Sequence, residues 1–191
     1  MAAGFAAARA GWQAAVFERA SEFSEIGAGV QLGPNVTRIL QAWELGDALQ
    51  QVVAFPAGLH ARSMTTDEVL ATLPLKDAVS TYGAPYVTIH RADLHGLLLQ
   101  ASLREGVQVH SDALVQRAHQ TPDDVTLDVM QNGQLQHHKG TVAVVADGVW
   151  SPLRQQLLGD GLPAFTGHVA YRALVAQADL PVHLRSQDVS V

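Results

Sequence analysis

The sequence predicts an α/β chain built around a parallel β-sheet, and two stretches carry this prediction. Residues 142–146 form an unbroken apolar run (VAVVA), which is typical of a strand buried on both faces of a parallel sheet. Asp147–Gly148 then marks a turn, and Ser151 and Pro152 suit the N-cap and the first position of a helix. Over residues 2–18, a small-residue helix, a glycine, a strand and an acid follow one another, as in the second half of a dinucleotide-binding βαβ unit.

Composition excludes several classes of function. The chain has 191 residues and is 48% hydrophobic, so it is long and apolar enough to bury the core of one domain or slightly more. A net charge of −6 without a basic stripe argues against a nucleic-acid partner. The absence of cysteine removes disulfides, thiol nucleophiles and thiolate metal sites, and favours the cytoplasm. No run of 18 apolar residues occurs, so no membrane span is predicted.

The first elements of the chain resemble the second half of a dinucleotide-binding βαβ unit. A helix over Ala2–Ala10 is predicted to end at Gly11, and a short strand over Ala14–Phe17 is followed by Glu18. An acid at such a strand end accepts hydrogen bonds from a ribose hydroxyl, about 20 residues after the first glycine of the phosphate-binding turn. Counting back from Glu18 places that glycine before Met1. We therefore expect the chain to begin inside the motif, after its first strand and Gly-rich turn.

The middle of the chain departs from the βαβ pattern. The expected elements are an apolar, glycine-interrupted segment at Ile26–Leu32, helices from Pro34 to Trp43 and over Leu45–Val53, strands at Gly58–Thr65, Val69–Leu73 and Tyr86–His90, and a helix capped by Asp93 that runs to Glu105. The two strands on either side of Thr66–Asp67 suggest an inserted second layer.

The second half of the chain is predicted to be rich in strands. These are Val107–Val109, Ala113–Arg117, Val125–Val129, Gln134–Lys139 and Val169–Ala176, with a helix over Leu153–Leu158. Asn132–Gly133 is a strong signal for a type I′ hairpin turn. Adjacent His137 and His138 should face opposite sides of their strand, so they cannot chelate one ion and no metal site is predicted. Tyr171 and Arg172 begin the last strand, where they either border a substrate or serve a structural role.

Three motifs occur in order along almost the entire chain. They are VFERASEFSEIGA at Val16–Ala28 running into GVQLGPN, HRADL at His90–Leu94, and ADGVWSPLR at Ala146–Arg154. Together they resemble the group A flavin-dependent monooxygenases, the family that includes salicylate and 3-hydroxybenzoate hydroxylases. The resemblance implies a Rossmann-like FAD-binding domain of the glutathione-reductase type with part of a β-sheet substrate domain. It assigns residues 1–56 and 86–160 to the FAD-binding domain, and residues 57–85 and 161–191 to substrate-domain strands.

The same resemblance implies cofactor-binding roles for seven residues. Glu18 should hold the adenosine ribose with Arg19 beside it, and the backbone of Leu114 should meet adenine. The backbone of Gly29 and Val30 should approach the flavin, and Arg91 should meet the negatively charged FAD. Asp147 should belong to a second fingerprint that supports FAD. From the residues alone, other interpretations stay open. Glu18 is also explained as a solvated acid at a strand end, Arg91 as a surface cation near a helix start, and Leu114 as core.

The resemblance further implies an enzyme that hydroxylates a small aromatic substrate, a phenolic acid, with NAD(P)H and O₂. In such enzymes the flavin carries the chemistry and the protein supplies binding, orientation and electrostatics, so no catalytic residue is predicted here. The alternative is a non-catalytic nucleotide-binding remnant of such an enzyme. A NAD-dependent Rossmann enzyme fits the HRADL and ADGVWSPLR motifs poorly, and the absence of G-x-S-x-G weakens a hydrolase interpretation.

Overall fold

The computed structural model describes residues 1–23, 28–171 and 173–191, and the chain divides into two compact units. Unit 1 comprises Met1–Ser24 and Leu99–Ala170, and unit 2 comprises Glu25–Leu98 and Tyr171–Val191. None of the helices within the described ranges is long and apolar enough to cross a membrane.

The elements follow one another along the chain with these bounds. The helices are α1 (Ala2–Arg9), α2 (Pro34–Ala42), α3 (Gly46–Gln50), α4 (Ala78–Tyr82), α5 (Arg91–Arg104) and α6 (Pro152–Leu158). The strands are β1 (Ala15–Phe17), β2 (Gly29–Leu32), β3 (Val53–Ala54), β4 (Gly58–Arg62), β5 (Val69–Pro74), β6 (Val87–His90), β7 (Gln108–His110), β8 (Ala113–Gln120), β9 (Val125–Gln131), β10 (Gln134–Gly140) and β11 (Val189–Ser190).

Unit 1 contains one pair of parallel strands, the type of pairing that the sequence predicts for its sheet, although β7 was not predicted as the partner of β1. β1 runs parallel to β7, with Ala15 opposite Gln108 and Phe17 opposite His110. Helix α1 packs closely here, because a Cβ added to Gly4 would lie 2.8 Å from a methyl carbon of Val16. The small residues of α1 therefore permit a close helix–strand approach, which confirms the predicted order of helix, glycine and strand.

An antiparallel sheet of β8, β9 and β10 forms the second part of unit 1. Asn132 and Gly133 both have positive φ, 50° and 74°, which confirms the predicted type I′ turn between β9 and β10. Helix α6 begins as predicted, because the Ser151 hydroxyl accepts a hydrogen bond from the Arg154 amide at 2.8 Å. The Gln156 side chain then satisfies both the amide and the carbonyl of Ala118 in strand β8.

Unit 2 holds two sheets of three strands. In the first, β6 pairs antiparallel with β2 on one side and β3 on the other; in the second, β4 lies between β5 and β11. Helix α2 is fixed near the first sheet by buried Thr37, whose hydroxyl donates a 2.7 Å hydrogen bond to the Pro85 carbonyl. Leu40, Val87 and Ile89 are buried in this part of the unit. These contacts hold β2 beside the start of α5.

One strand that the sequence predicts does not form. Residues 142–146 belong to no strand, and their side chains are largely exposed, with Val142 at 66% and Val144 at 71%. The prediction of a buried strand is therefore wrong for the described chain. An apolar run becomes a strand only when a neighbouring strand completes the ladder, and no described strand pairs with this one. The turn at Asp147–Gly148 still leads into helix α6, and Gly148 has the predicted turn geometry with φ of 82°.

Three further predictions need correction. The described residues of Val169–Ala176 form no strand, and Arg172 itself lies outside the described residues. The helix expected over Leu45–Val53 is confined to α3, because Val53 pairs with Ile89 in the sheet. Asp93 lies within the first turn of α5 rather than at its N-cap, since the helix already begins at Arg91. In the first motif, residues 24–27 lie outside the described chain.

The last strand of unit 2 follows a hydrogen-bonded carboxylate, Asp188, whose contribution to stability should depend on pH. Asp188 lies 3.2 Å from His60 Nε2 and accepts hydrogen bonds from the amides of Gly58 and Ala57. The His60 hydrogen bond and these two amides hold the pKa of the Asp188 carboxyl below its ordinary value, because they favour its charged form. The folded chain therefore binds this proton less readily than the unfolded chain.

We expect Asp188→Asn to lower the free energy of unfolding at pH 7, because the ionised carboxylate contributes its full stabilisation above the unfolded pKa of about 3.9. As the pH falls below about 4 and through the lower folded pKa, that contribution is lost and the variant should approach the original chain. Urea unfolding at pH 7 and pH 3 measures the difference. Asp179→Asn, at another exposed acid of unit 2, is the matched control. An Asp188→Asn effect that is the same at both pH values would contradict this account.

Candidate functional site

In unit 1, Glu18 lies where β1 ends, as predicted. Its backbone continues the parallel pairing, because the Glu18 amide donates to the His110 carbonyl at 2.8 Å and the Glu18 carbonyl accepts from the Ala113 amide at 2.9 Å. One carboxylate oxygen, Oε1, accepts the Ala20 amide at 2.8 Å. These bonds fix the direction of the side chain, and a carboxylate has further lone pairs to accept the hydroxyl of a sugar.

The other predicted residues of unit 1 fall into two groups. Arg19 is exposed beside Glu18, and Leu114, which is 41% exposed, follows the Ala113 amide that bonds to Glu18. The structure therefore brings Glu18, Arg19 and Leu114 together at one end of β1. Asp147 is exposed in the segment without a strand, and the structure shows no bond that links it to that group among the described residues.

Phe17, the residue before Glu18, belongs to a cluster of three aromatic rings. Phe17 stacks on His110 with ring centroids 5.0 Å apart, and His138 contacts the edge of Phe17 at 4.7 Å. His137 instead bonds to Asp128 at 2.8 Å, so the two adjacent histidines face opposite sides as predicted. This ring cluster is not predictable from the sequence, because it joins residues from three separate strands.

In unit 2, residues from two distant motifs line one cavity. Ala28, Gly29, Val30, Arg91, Tyr171 and Ala173 surround a space of about 430 Å³. Strand pairing produces this arrangement, because Gly29 lies opposite His90 and the Arg91 amide donates to the Ala28 carbonyl at 3.0 Å. The structure thus brings together Gly29, Val30 and Arg91, the three predicted residues of this unit.

The chemistry of this cavity fits a flat ligand that carries negative charge. A Cβ added to Gly29 would meet nothing within 4 Å, so backbone is exposed to the open space at that position. Arg91 supplies a guanidinium, whose planar set of donors suits carboxylate or phosphate oxygens. The small residues Ala28 and Ala173 were not predicted as site residues. The sequence does not indicate them, because an alanine near a glycine is not by itself a sign of a binding site.

The described part of the chain was also compared with the geometry of a metal site. Among residues 1–23, 28–171 and 173–191, no three histidine, aspartate or glutamate side chains are grouped so that they could hold an ion. The His119 and His137 imidazoles instead both donate to the Asp128 carboxylate at 2.8 Å. Hydrogen bonds from these two histidines hold the pKa of Asp128 below its ordinary value.

Comparisons of sequence relate the chain to hydroxylases of aromatic compounds. It is 38% identical over 187 residues to 3-hydroxybenzoate 6-hydroxylase 1 of Aquipseudomonas alcaligenes, covering 97% of this chain and 47% of that protein. It is 35% identical to 6-hydroxynicotinate 3-monooxygenase of Pseudomonas fluorescens, covering 95% of this chain and 46% of that protein. The chain spans about half the length of the curated relatives it matches. No protein-family model matches it.

Comparison of structures supports the fold class. The crystal structure of the flavin-dependent monooxygenase PieE, in complex with FAD and substrate, superposes with a TM-score of 0.71 at 16% identity. The match covers 81% of this chain and 29% of that protein. At this identity the likeness shows the fold alone, and it confirms the predicted α/β fold class.

Proposed function

We propose that this chain, which belongs to the family of FAD-dependent aromatic monooxygenases, contributes the cofactor-binding part of an enzyme that hydroxylates a small aromatic acid. The enzyme would use NAD(P)H and O₂: one oxygen atom enters the ring and the other leaves as water. The absence of cysteine supports a reducing compartment such as the cytoplasm. The relatives act on hydroxylated benzoate and nicotinate, and a phenolic acid is the corresponding substrate class here.

The convergence of Gly29, Val30 and Arg91 on one cavity carries this proposal. About 60 positions separate Val30 from Arg91 in the sequence, and the resemblance implies an FAD contact for each of them. A cavity of about 430 Å³ with exposed glycine backbone and a guanidinium is suited to a ring system with an attached anionic chain.

FAD, when bound, would accept hydride from NAD(P)H and activate O₂. The residues of this chain would bind and orient it. In unit 1, the Glu18 carboxylate would accept hydrogen bonds from the ribose hydroxyls, with Arg19 beside it and the Leu114 backbone near adenine. In unit 2, the amides near Gly29 and Val30 would approach the flavin ring, and Arg91 would bind an anionic oxygen of the cofactor. Asp147, in the turn before helix α6, would support FAD binding.

The test of this function is substrate-stimulated oxidation of NAD(P)H. We expect the chain with FAD to oxidise NAD(P)H slowly alone and faster with a hydroxylated benzoate or nicotinate, and to yield a product heavier by one oxygen atom. With ¹⁸O₂, that atom should carry the label. FAD binding without stimulation or oxygenated product would favour the non-catalytic alternative, whereas stimulation without oxygenated product would show that the wrong aromatic compound had been supplied.

A further inference from the structure

Tyr171 is a highly exposed tyrosine that lines the unit 2 cavity. Its side chain is 97% exposed, yet it borders the same space as Gly29 and Arg91. An aromatic ring in contact with water on nearly all of its surface gains free energy when a flat apolar ligand covers it. Tyr82, at 62% exposure, is also in unit 2 but does not line this cavity.

The lining of the cavity favours a planar ligand. Ala28, Gly29 and Ala173 present only small side chains, so backbone and methyl groups form much of the lining. Tyr171 contributes the only aromatic ring among the residues that line it. A fused ring system can therefore enter beside the small residues and offer a face or edge to the tyrosine ring. Offset-stacked and edge-to-face contacts are the favourable arrangements for such rings.

We propose that Tyr171 is a positioning residue whose ring packs against the isoalloxazine of FAD in this cavity. The proposal rests on the proposed function, since it concerns the same cofactor. It adds a residue outside the three motifs and assigns it to the flavin ring rather than to the adenosine end. The phenol oxygen is not needed for this contact, so phenylalanine should replace tyrosine in packing.

The contact predicts separate effects on affinity and on fluorescence. Tyr171→Ala should weaken both FAD and riboflavin by roughly two- to tenfold, the range for loss of one aromatic pair. Tyr171→Phe should retain that affinity. The phenol of a tyrosine in van der Waals contact donates an electron to photoexcited flavin and quenches its emission, whereas a phenyl ring does so poorly. Bound flavin should therefore emit more strongly in Tyr171→Phe than in the original chain.

The experiment is a titration of the full 191-residue chain and its variants with FAD and with riboflavin, followed by absorbance and fluorescence. Tyr82→Ala is the matched control, and circular dichroism checks that each variant is folded. A second measurement needs no variant: nitration of the original chain by tetranitromethane, mapped by mass spectrometry. FAD should lower nitration of Tyr171 and leave that of Tyr82 unchanged.

The outcomes separate this inference from the proposed function. Weaker binding of both flavins in Tyr171→Ala, with protection of Tyr171 from nitration, supports the contact. If the original chain binds FAD but Tyr171→Ala binds as Tyr82→Ala does, and nitration of Tyr171 is unaffected, the inference is overturned while the proposed function stands. If the original chain binds no flavin, the proposed function fails and the inference fails with it.

Discussion

Replacing Arg91 with alanine is expected to weaken FAD binding by roughly 1.5–3 kcal/mol, the usual contribution of a hydrogen bond to a charged group. Arg91 is the first residue of α5, and its amide is bonded to Ala28, so its guanidinium is held at the cavity by a fixed backbone. Arg91→Lys should recover only part of the loss, because an ammonium is a point charge and cannot reproduce the planar fork of donors.

Equilibrium titration with FAD measures the three affinities. Arg104→Ala is the matched control, since Arg104 is an exposed cation at the other end of the same helix. This control removes one positive charge without touching the cavity, and it should bind FAD as the original chain does. Equal affinity in the original chain and in both Arg91 variants would show that Arg91 is a surface cation, as its position near a helix start also allows.

A charge reversal at Glu18 should abolish most FAD binding and leave riboflavin binding unchanged. Lysine accepts no hydrogen bond from a ribose hydroxyl, and it loses the 2.8 Å bond that the Glu18 carboxylate accepts from the Ala20 amide. Riboflavin lacks the adenosine that Glu18 is proposed to hold. Glu18→Gln keeps one acceptor oxygen, so its affinity for FAD should lie between those of the original chain and Glu18→Lys.

Paired titrations with FAD and riboflavin test this prediction, with Glu22→Lys as the control for an equal change of net charge at a nearby exposed acid. Hydroxylation activity should fall with FAD affinity in Glu18→Lys, and excess FAD should restore it in part. A parallel loss of riboflavin binding would indicate that the substitution disrupts unit 1. Unaltered FAD binding would identify Glu18 as a solvated acid at a strand end.

Local chemistry made much of this fold predictable. Asn132 and Gly133 adopt positive φ because a type I′ turn requires it, and Ser151 caps helix α6 because its hydroxyl reaches the Arg154 amide three residues later. Both features depend on a few consecutive residues. Strand β1 after a helix and a glycine was also foreseeable, because these elements form a recurring unit, whereas its parallel partner β7 comes from a distant part of the chain.

Features that depend on distant partners were not predictable from the residues alone. The apolar run at 142–146 signals burial, but it does not specify which strand would cover it, and no described strand does. The cluster of Phe17, His110 and His138 joins three strands, so no single stretch of sequence indicates it. Tyr171 was placed on a strand that does not form, yet it lines the cavity that holds Gly29 and Arg91.

The most direct test of the central claim is amide hydrogen exchange of the chain with and without FAD, read by mass spectrometry. Bound ligand slows exchange where it orders the backbone. With FAD bound, we expect slower exchange around Glu18 and Leu114 in unit 1. We expect the same around Gly29, Val30 and Arg91 in unit 2, with little change in the β4–β5 hairpin. Exchange that is identical with and without saturating FAD, or protection confined to other segments, would contradict the assignment of these residues to the cofactor.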